Sequence, residues 1–185
     1  MTGGVRQRMI RGATEVLGRR GLHATAFSEV LALTGASRGS IYHHFPGGKA
    51  ELVEAALDDF SARLDDSLRA LHGRPAAAVV DGALALWRAK LVRNDCESCC
   101  PVAAITIAAD SMRLQESCRE AFHQWRDTLA NALQAGHCPA PRVLPFATLL
   151  VASVQGAIIL ARAEGDPAPF DAVAEQLRAQ AATLA

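Results

Sequence analysis

A chain of 185 residues, half of them apolar and only 5% aromatic, is long enough to bury roughly two-thirds of the surface its unfolded form exposes. Alanine and leucine dominate and β-branched alternation is scarce, which points away from a β-protein and towards an all-α one. Net charge is zero, which taken alone argues against a nucleic-acid partner.

The zero hides an asymmetry. Residues 1–49 carry seven basic side chains (Arg6, Arg8, Arg11, Arg19, Arg20, Arg38 and Lys49) against Glu15 and Glu29, a surplus of five. The remaining 136 residues carry twelve basic and seventeen acidic groups, a deficit of five. A basic head on an acidic body is the pattern expected when one part meets phosphate and the other does not. Five cysteines, at 96, 99, 100, 118 and 138, are an odd number outside any small secreted scaffold, so reduced thiols in a cytoplasm are expected. Residues 1–11 hold arginines but no apolar run, so no secretory signal is expected there.

In chain order, residues 5–20 read as a helix with Met9, Ala13, Val16 and Leu17 on one face, Ile10 at its edge and Gly21 as the stop. Thr25 is expected to cap a second helix at 26–33, with Phe27, Val30 and Leu31 inward. Thr34-Gly35-Ala36 reads as a tight turn. Ser37 then caps a third helix at 38–44, which Pro46-Gly47-Gly48 ends. Longer helices follow at 49–71, 76–92, 101–109, 112–135, 142–163 and 170–183. A polar, cysteine-bearing loop is expected at 93–100. The change from short to long helices near residue 47 divides the chain into a short-helix part, 1–47, and a long-helix part, 48–185.

Two short helices joined by a glycine-containing turn are the helix-turn-helix arrangement, whose second helix enters the major groove with its N-terminal residues nearest the base edges. Here that edge is Ser37-Arg38-Gly39-Ser40. Arg38 suits a bidentate contact to guanine, Gly39 allows close approach, and Ser40 suits a base or a phosphate. Tyr42 and His43, one turn on, are placed for phosphates, and Ile41 and Phe45 turn inward. Lys49, at the start of the next helix, adds an ammonium to free backbone amides. With Thr25, these are the expected contacts to double-stranded DNA.

The string Gly21-Leu-His-Ala-Thr-Ala-Phe-Ser-Glu-Val30, with Thr34-Gly-Ala-Ser-Arg-Gly-Ser-Ile-Tyr-His-His-Phe-Pro46 and Lys49-Ala-Glu-Leu52, resembles the N-terminal domain of the TetR (tetracycline repressor) family over residues 5–57. The Phe-Pro-Gly-Gly-Lys stretch is similar to the branch that includes multidrug-responsive repressors. Leu31 departs from the small residue usual in the family, and Ala26 from a frequent hydroxyl residue. The resemblance implies an all-α homodimer, a palindromic operator, a small apolar effector and a dimer interface built from the last two helices.

The nineteen uncharged residues 143–161 approach the ~20 that span a bilayer. A helix apolar all round also suits the inside of a bundle or an oligomer, and no membrane partner is expected. For the effector, aromatic and apolar residues with a few polar groups are sought: Phe60, Leu64, Trp87, Leu91, Phe122, Trp125 and Gln155. Ordinary core packing is the better account of the first six, whereas an amide inside an apolar helix needs a partner. Cys96, Cys99 and Cys100 leave open inert packing, redox sensing and half a zinc site. No Ser-His-Asp set, metal triad, P-loop or dinucleotide-binding glycine pattern is visible, so neither an enzyme nor a cofactor is expected.

Overall fold

The computed structural model describes residues 4–184. Among them are nine helices and no strand: α1 (Val5–Ala24), α2 (Phe27–Thr34), α3 (Arg38–His44), α4 (Gly48–Arg69), α5 (Ala76–Arg93), α6 (Pro101–Ala108), α7 (Met112–Ala135), α8 (Ala140–Glu164) and α9 (Ala168–Ala181). The all-α expectation from composition and periodicity is the architecture observed.

The helices form two compact units. One holds the chain up to Ala62 together with Cys100–Arg119; the other holds Arg63–Cys99 together with the chain from Glu120 on. Compactness therefore joins segments that lie far apart in sequence, and α4 and α7 each contribute residues to both units.

In the first unit α1 buries Met9, Ile10, Ala13, Val16 and Leu17 and packs on both α2 and α6. Its regular turns end at Gly21, where φ is 78°, a left-handed region that costs glycine little. Pro101 opens α6 at its first turn, where the missing N–H leaves no helical bond unmade. Val102 and Ile105 are buried, and the Cys118 thiol of α7 contacts the Val102 carbonyl at 3.6 Å. Gln7 of α1 donates to Asp59 of α4 at 2.7 Å, and Arg113 pairs with Glu54 at 2.8 Å.

In the second unit α5, α8 and α9 pack on one another. Arg88 grips Asp171 through two nitrogens, at 2.6 and 2.7 Å, and Arg178 meets Asp81 at 2.7 Å, so both ion pairs tie α5 to α9. The end of α7 meets the start of α5 at Gly136, whose carbonyl accepts from the Ala76 N–H at 3.1 Å. A Cβ at position 136 would stand 2.6 Å from both Ala76 N and Arg74 O; only glycine permits that approach.

Asp65 is the buried charge of this unit. It is 2% exposed, yet it accepts from Arg69 Nε at 2.6 Å, Gln124 Nε2 at 2.8 Å and Thr128 Oγ1 at 2.5 Å. Three donors satisfy a carboxylate that burial would otherwise penalise heavily. The knot joins the last turns of α4 to the middle of α7.

Helix α8 is long and apolar enough to cross a membrane by length and composition, with a mean hydropathy of 2.1 over its most apolar stretch, of which 44% is buried. Val143, Phe146, Ala147, Leu150, Val151, Val154, Ala157, Ile158 and Ala161 face the core. Leu144, Leu149, Ile159 and Leu160 stay exposed, as do Ala152 and Gly156. One face of α8 is thus core, and the other is an apolar surface.

Candidate nucleic-acid interface

Helices α2 and α3 are joined by Gly35, Ala36 and Ser37. Gly35 ends α2 in the left-handed conformation, φ 65°, and its N–H bonds the Leu31 carbonyl at 2.9 Å. Ser37 caps α3: its Oγ accepts from the Ser40 N–H at 3.3 Å and lies 2.9 Å from the Ser40 hydroxyl. The turn and the cap together set the direction in which α3 leaves α2.

The outward face of α3 is polar. Arg38, Gly39, Tyr42 and His43 are exposed, Tyr42 by 71%, and Ser40 is half-buried. A Cβ at Gly39 would meet nothing within 4 Å, so the surface there is open to an approaching partner. Ile41 and Phe45 are buried beneath this face. The Arg6 guanidinium lies 5.2 Å from the Phe45 ring centroid, a cation–π contact, and brings a basic group from α1 to the end of α3. Tyr42 also leans towards Phe27, with ring centroids 6.4 Å apart. The sequence-based placement of Ser37–Ser40, Tyr42 and His43 on one accessible helix matches these positions.

Two residues sit differently from the sequence reading. Thr25 does not cap α2. It is 1% exposed, it ends α1, and its hydroxyl donates to the Gly21 carbonyl at 2.8 Å. The capping position of α2 belongs instead to Ala26, which has no side chain able to accept a hydrogen bond. Residue type misplaced the cap by one position, because Thr25 is the stronger capping residue of the two. Lys49 is half-buried and donates to the His23 carbonyl at 3.3 Å, so it braces the end of α1. The first turn of α4 is held by Glu51, which accepts from the Gly47 N–H at 2.8 Å.

The residues suggested for an effector lie on several helices. Trp87, Leu91 and Trp125 are buried in the second unit, where Leu64, Phe122 and Gln155 are partly exposed; Phe60 is buried in the first. Phe122 and Trp125 stack edge to face at 5.4 Å. The second unit also has an open cleft of about 1050 Å³, walled by Arg69, His72, Glu120, His123, Gln124 and Asp127 among others. None of the seven suggested residues lines it. Sequence reading missed Asp65, although its register with Ser61 and Leu68 places an acid on the apolar face of α4.

No disulfide joins the cysteines among the described residues, and no group of three or more His, Cys, Asp or Glu there is placed to hold a metal. Burial pushes the Cys96 thiol up, with Asp166 and Asp95 adding to the effect and Arg88 opposing it; Cys138 is raised by burial in the same way. Cys99 is partly exposed, and Arg162 Nη1 stands 3.2 Å from its sulfur.

Comparison with known proteins matches both ends of this arrangement. Residues 9–56 match the family "Bacterial regulatory proteins, tetR family", and residues 75–176 match "Transcriptional regulator LmrA/YxaF-like, C-terminal domain". An uncharacterised HTH-type transcriptional regulator of Mycobacterium tuberculosis is 35% identical, over 95% of this chain and 93% of its own. The HTH-type transcriptional regulator LmrA of Bacillus subtilis is 26% identical, over 91% and 92%. Among solved structures, a TetR transcriptional regulator from Legionella pneumophila shares the fold with a TM-score of 0.84 at 18% identity, covering 97% of this chain and 98% of that one. One from Chloroflexus aurantiacus gives 0.73 at 26%, over 95% and 92%. The chain belongs to the TetR family of DNA-binding, helix-turn-helix transcriptional regulators.

Proposed function

We propose that the protein is a ligand-responsive repressor, released from a palindromic operator by a small apolar molecule. The observation that carries the reading is the exposed, polar face of α3 over a buried apolar floor, on the basic end of the chain. Residues 1–47 act as the DNA-binding domain, with Ser37, Arg38, Gly39, Ser40, Tyr42 and His43 against DNA and Thr25 and Lys49 as supports. Residues 48–185 act as the effector-binding and dimerisation domain. Homodimerisation uses α8 and α9, for which the apolar surface of Leu149, Ala152, Gly156, Ile159 and Leu160 is the support. The protein works in the cytoplasm and catalyses no reaction.

Effector action follows from linkage. A ligand that prefers the state unable to hold DNA lowers operator affinity, and the operator lowers ligand affinity by the same factor. Residues 49–71 carry the motion, since α4 has residues in both units.

Selection of DNA from a random pool with the purified protein is the direct test. The expected product is a palindrome whose half-sites lie about 34–36 Å apart, or a multiple of that. Recovery of a single asymmetric site would remove the dimer, and an operator affinity unmoved by a saturating ligand would remove the release mechanism.

A second reading has one observation in its favour. Arg162 Nη1 stands 3.2 Å from the sulfur of the partly exposed Cys99, whereas burial pushes the Cys96 thiol up. Under this reading oxidation of Cys99 lowers operator affinity. Comparing Cys99→Ser and Cys96→Ser with and without oxidant decides it: the response disappears in Cys99→Ser alone if the reading holds.

A further inference from the structure

The second unit satisfies its polar groups with care. Asp65 has three donors, the Asn94 amide donates to the Lys90 carbonyl at 2.7 Å, and Arg88 holds Asp171 through two nitrogens. Three groups stand out against that background, one of them the Arg126 Nε of α7, which is buried and has no hydrogen-bond partner. The indole N–H of Trp87, a side chain 3% exposed, has no hydrogen-bond partner. The Gln155 amide nitrogen is buried and has none either.

Trp87 lies on α5 and Gln155 on α8, and these two helices pack against each other. Both orphaned atoms are donors, and an indole nitrogen can do nothing but donate. A buried donor without an acceptor is costly and rare in native proteins, and each one calls for an explanation, of which an acceptor supplied from outside the chain is one. The same two helices carry Val80, Ala83, Leu84 and Leu91 on α5 and Val151, Val154 and Ile158 on α8, all buried and apolar. An occupant must therefore match two chemistries, an apolar body and oxygen acceptors.

We propose that Trp87 and Gln155 are the hydrogen-bonding anchors of the effector site, and that the effector is an apolar molecule carrying a carbonyl, ether or comparable acceptor oxygen. This deepens the ligand-responsive reading and rests on it. The acceptor takes the two N–H groups, while the hydrocarbon part packs on the apolar residues of these two helices. A hydrocarbon of the same shape without oxygen fills the space but leaves both donors unpaired.

The test uses a matched pair of probes, benzophenone and diphenylmethane, which differ in the carbonyl. Calorimetric titration of the full chain is expected to show benzophenone binding at least about tenfold more tightly. Trp87→Phe keeps an aromatic ring without the N–H, and Gln155→Leu keeps most of the volume without the amide. Each should cut the preference by about threefold or more, and the double variant should abolish it while changing diphenylmethane affinity less than about twofold. Circular dichroism and Tm establish that the variants fold; if Trp87→Phe does not, Gln155→Leu carries the measurement alone.

An unchanged preference in the folded variants overturns the inference, as does no benzophenone binding by the wild-type chain. Operator affinity, measured in parallel, separates this inference from the reading beneath it. If the preference behaves as expected but benzophenone leaves operator affinity unchanged, the anchors stand and the release mechanism fails. If another compound releases the operator and neither substitution alters its affinity, the release mechanism stands and the anchors fail.

Discussion

The two units use their polar residues in opposite ways. In the first, the chemistry faces outward: Arg38, Gly39, Tyr42 and His43 ride on a short helix whose only deep residue is Ile41, with Phe45 just beyond it. In the second, the groups that decide the packing are inside, at the Asp65 knot, the Gly136 crossing and the orphaned donors of Trp87 and Gln155. A surface that reads DNA can be specified by local signals, a cap, a turn and a spacing. An interior of buried polar groups depends on which distant segments meet. Substitutions in the first unit should therefore change binding with little effect on folding, and those in the second should do the reverse.

The sharpest break of that contrast is Gly136→Ala. The new Cβ meets backbone atoms at 2.6 Å, which cannot rotate away as a side-chain end can. Separating α7 from α5 also strains the Ala76–Gly136 hydrogen bond. A loss of ~3 kcal/mol is expected in denaturant unfolding. Asp65→Leu comes next, at ~2 kcal/mol, because Gln124 and Thr128 lose their acceptor while the volume stays filled. Both variants, while folded, should keep the wild-type operator preference. A change of preferred sequence in either would show that the division between the units is wrong.

On the other side, Arg38→Ala should weaken operator binding by ~1–3 kcal/mol and relax the preference at one base pair, with Tm unmoved because the side chain is exposed. Fluorescence anisotropy with single-base operator variants measures it. Uniform weakening over all sequences would make Arg38 a phosphate contact. Ala26→Ser tests the same unit in the stabilising direction. Ala26 already has the extended conformation of a capping residue, φ −107° and ψ 154°, and a serine hydroxyl there can accept from the first turn of α2. A gain of ~0.5–1 kcal/mol is expected.

That last case also shows where sequence reading reaches its limit. The helices were legible from periodicity because each buries a stripe: Met9, Ala13, Val16 and Leu17 in α1, or Leu52, Ala56 and Phe60 in α4. The α3 face was legible because Ser37 and Gly35 act on residues within four positions of themselves. The cap of α2 was off by one, since residue type favours Thr25 and only the backbone reveals that its hydroxyl turns back to Gly21. The packing of α6 on α1 and the partners of Asp65, 59 and 63 residues away, have no local signature. Neither does the orphaning of Trp87, which is a statement about what the rest of the chain fails to provide.

The smallest expected effect lies on the surface of the second unit, at the Arg88–Asp171 pair. The hydrogen bonds from Arg88 hold the Asp171 carboxyl below the usual carboxylate range; burial opposes this, and the charges of Arg88 and Arg178 add to it. A depressed pKa in the folded state means that folding favours the ionised form. The stabilisation is therefore complete above the unfolded-chain value, near ~3.9, and is lost as pH falls through the folded value. Both side chains are more than two-fifths exposed, so solvent screens the pair and the contribution is small. Asp171→Asn should lower Tm by about 1–2 °C at pH 7 and by less at pH 3. High salt should shrink the difference at pH 7 as well. A deficit that persists unchanged at pH 3 would mean that Asp171 holds α9 through shape and hydrogen bonding, as Asp65 does inside, and that even the outer surface of this unit is governed by packing and not by charge.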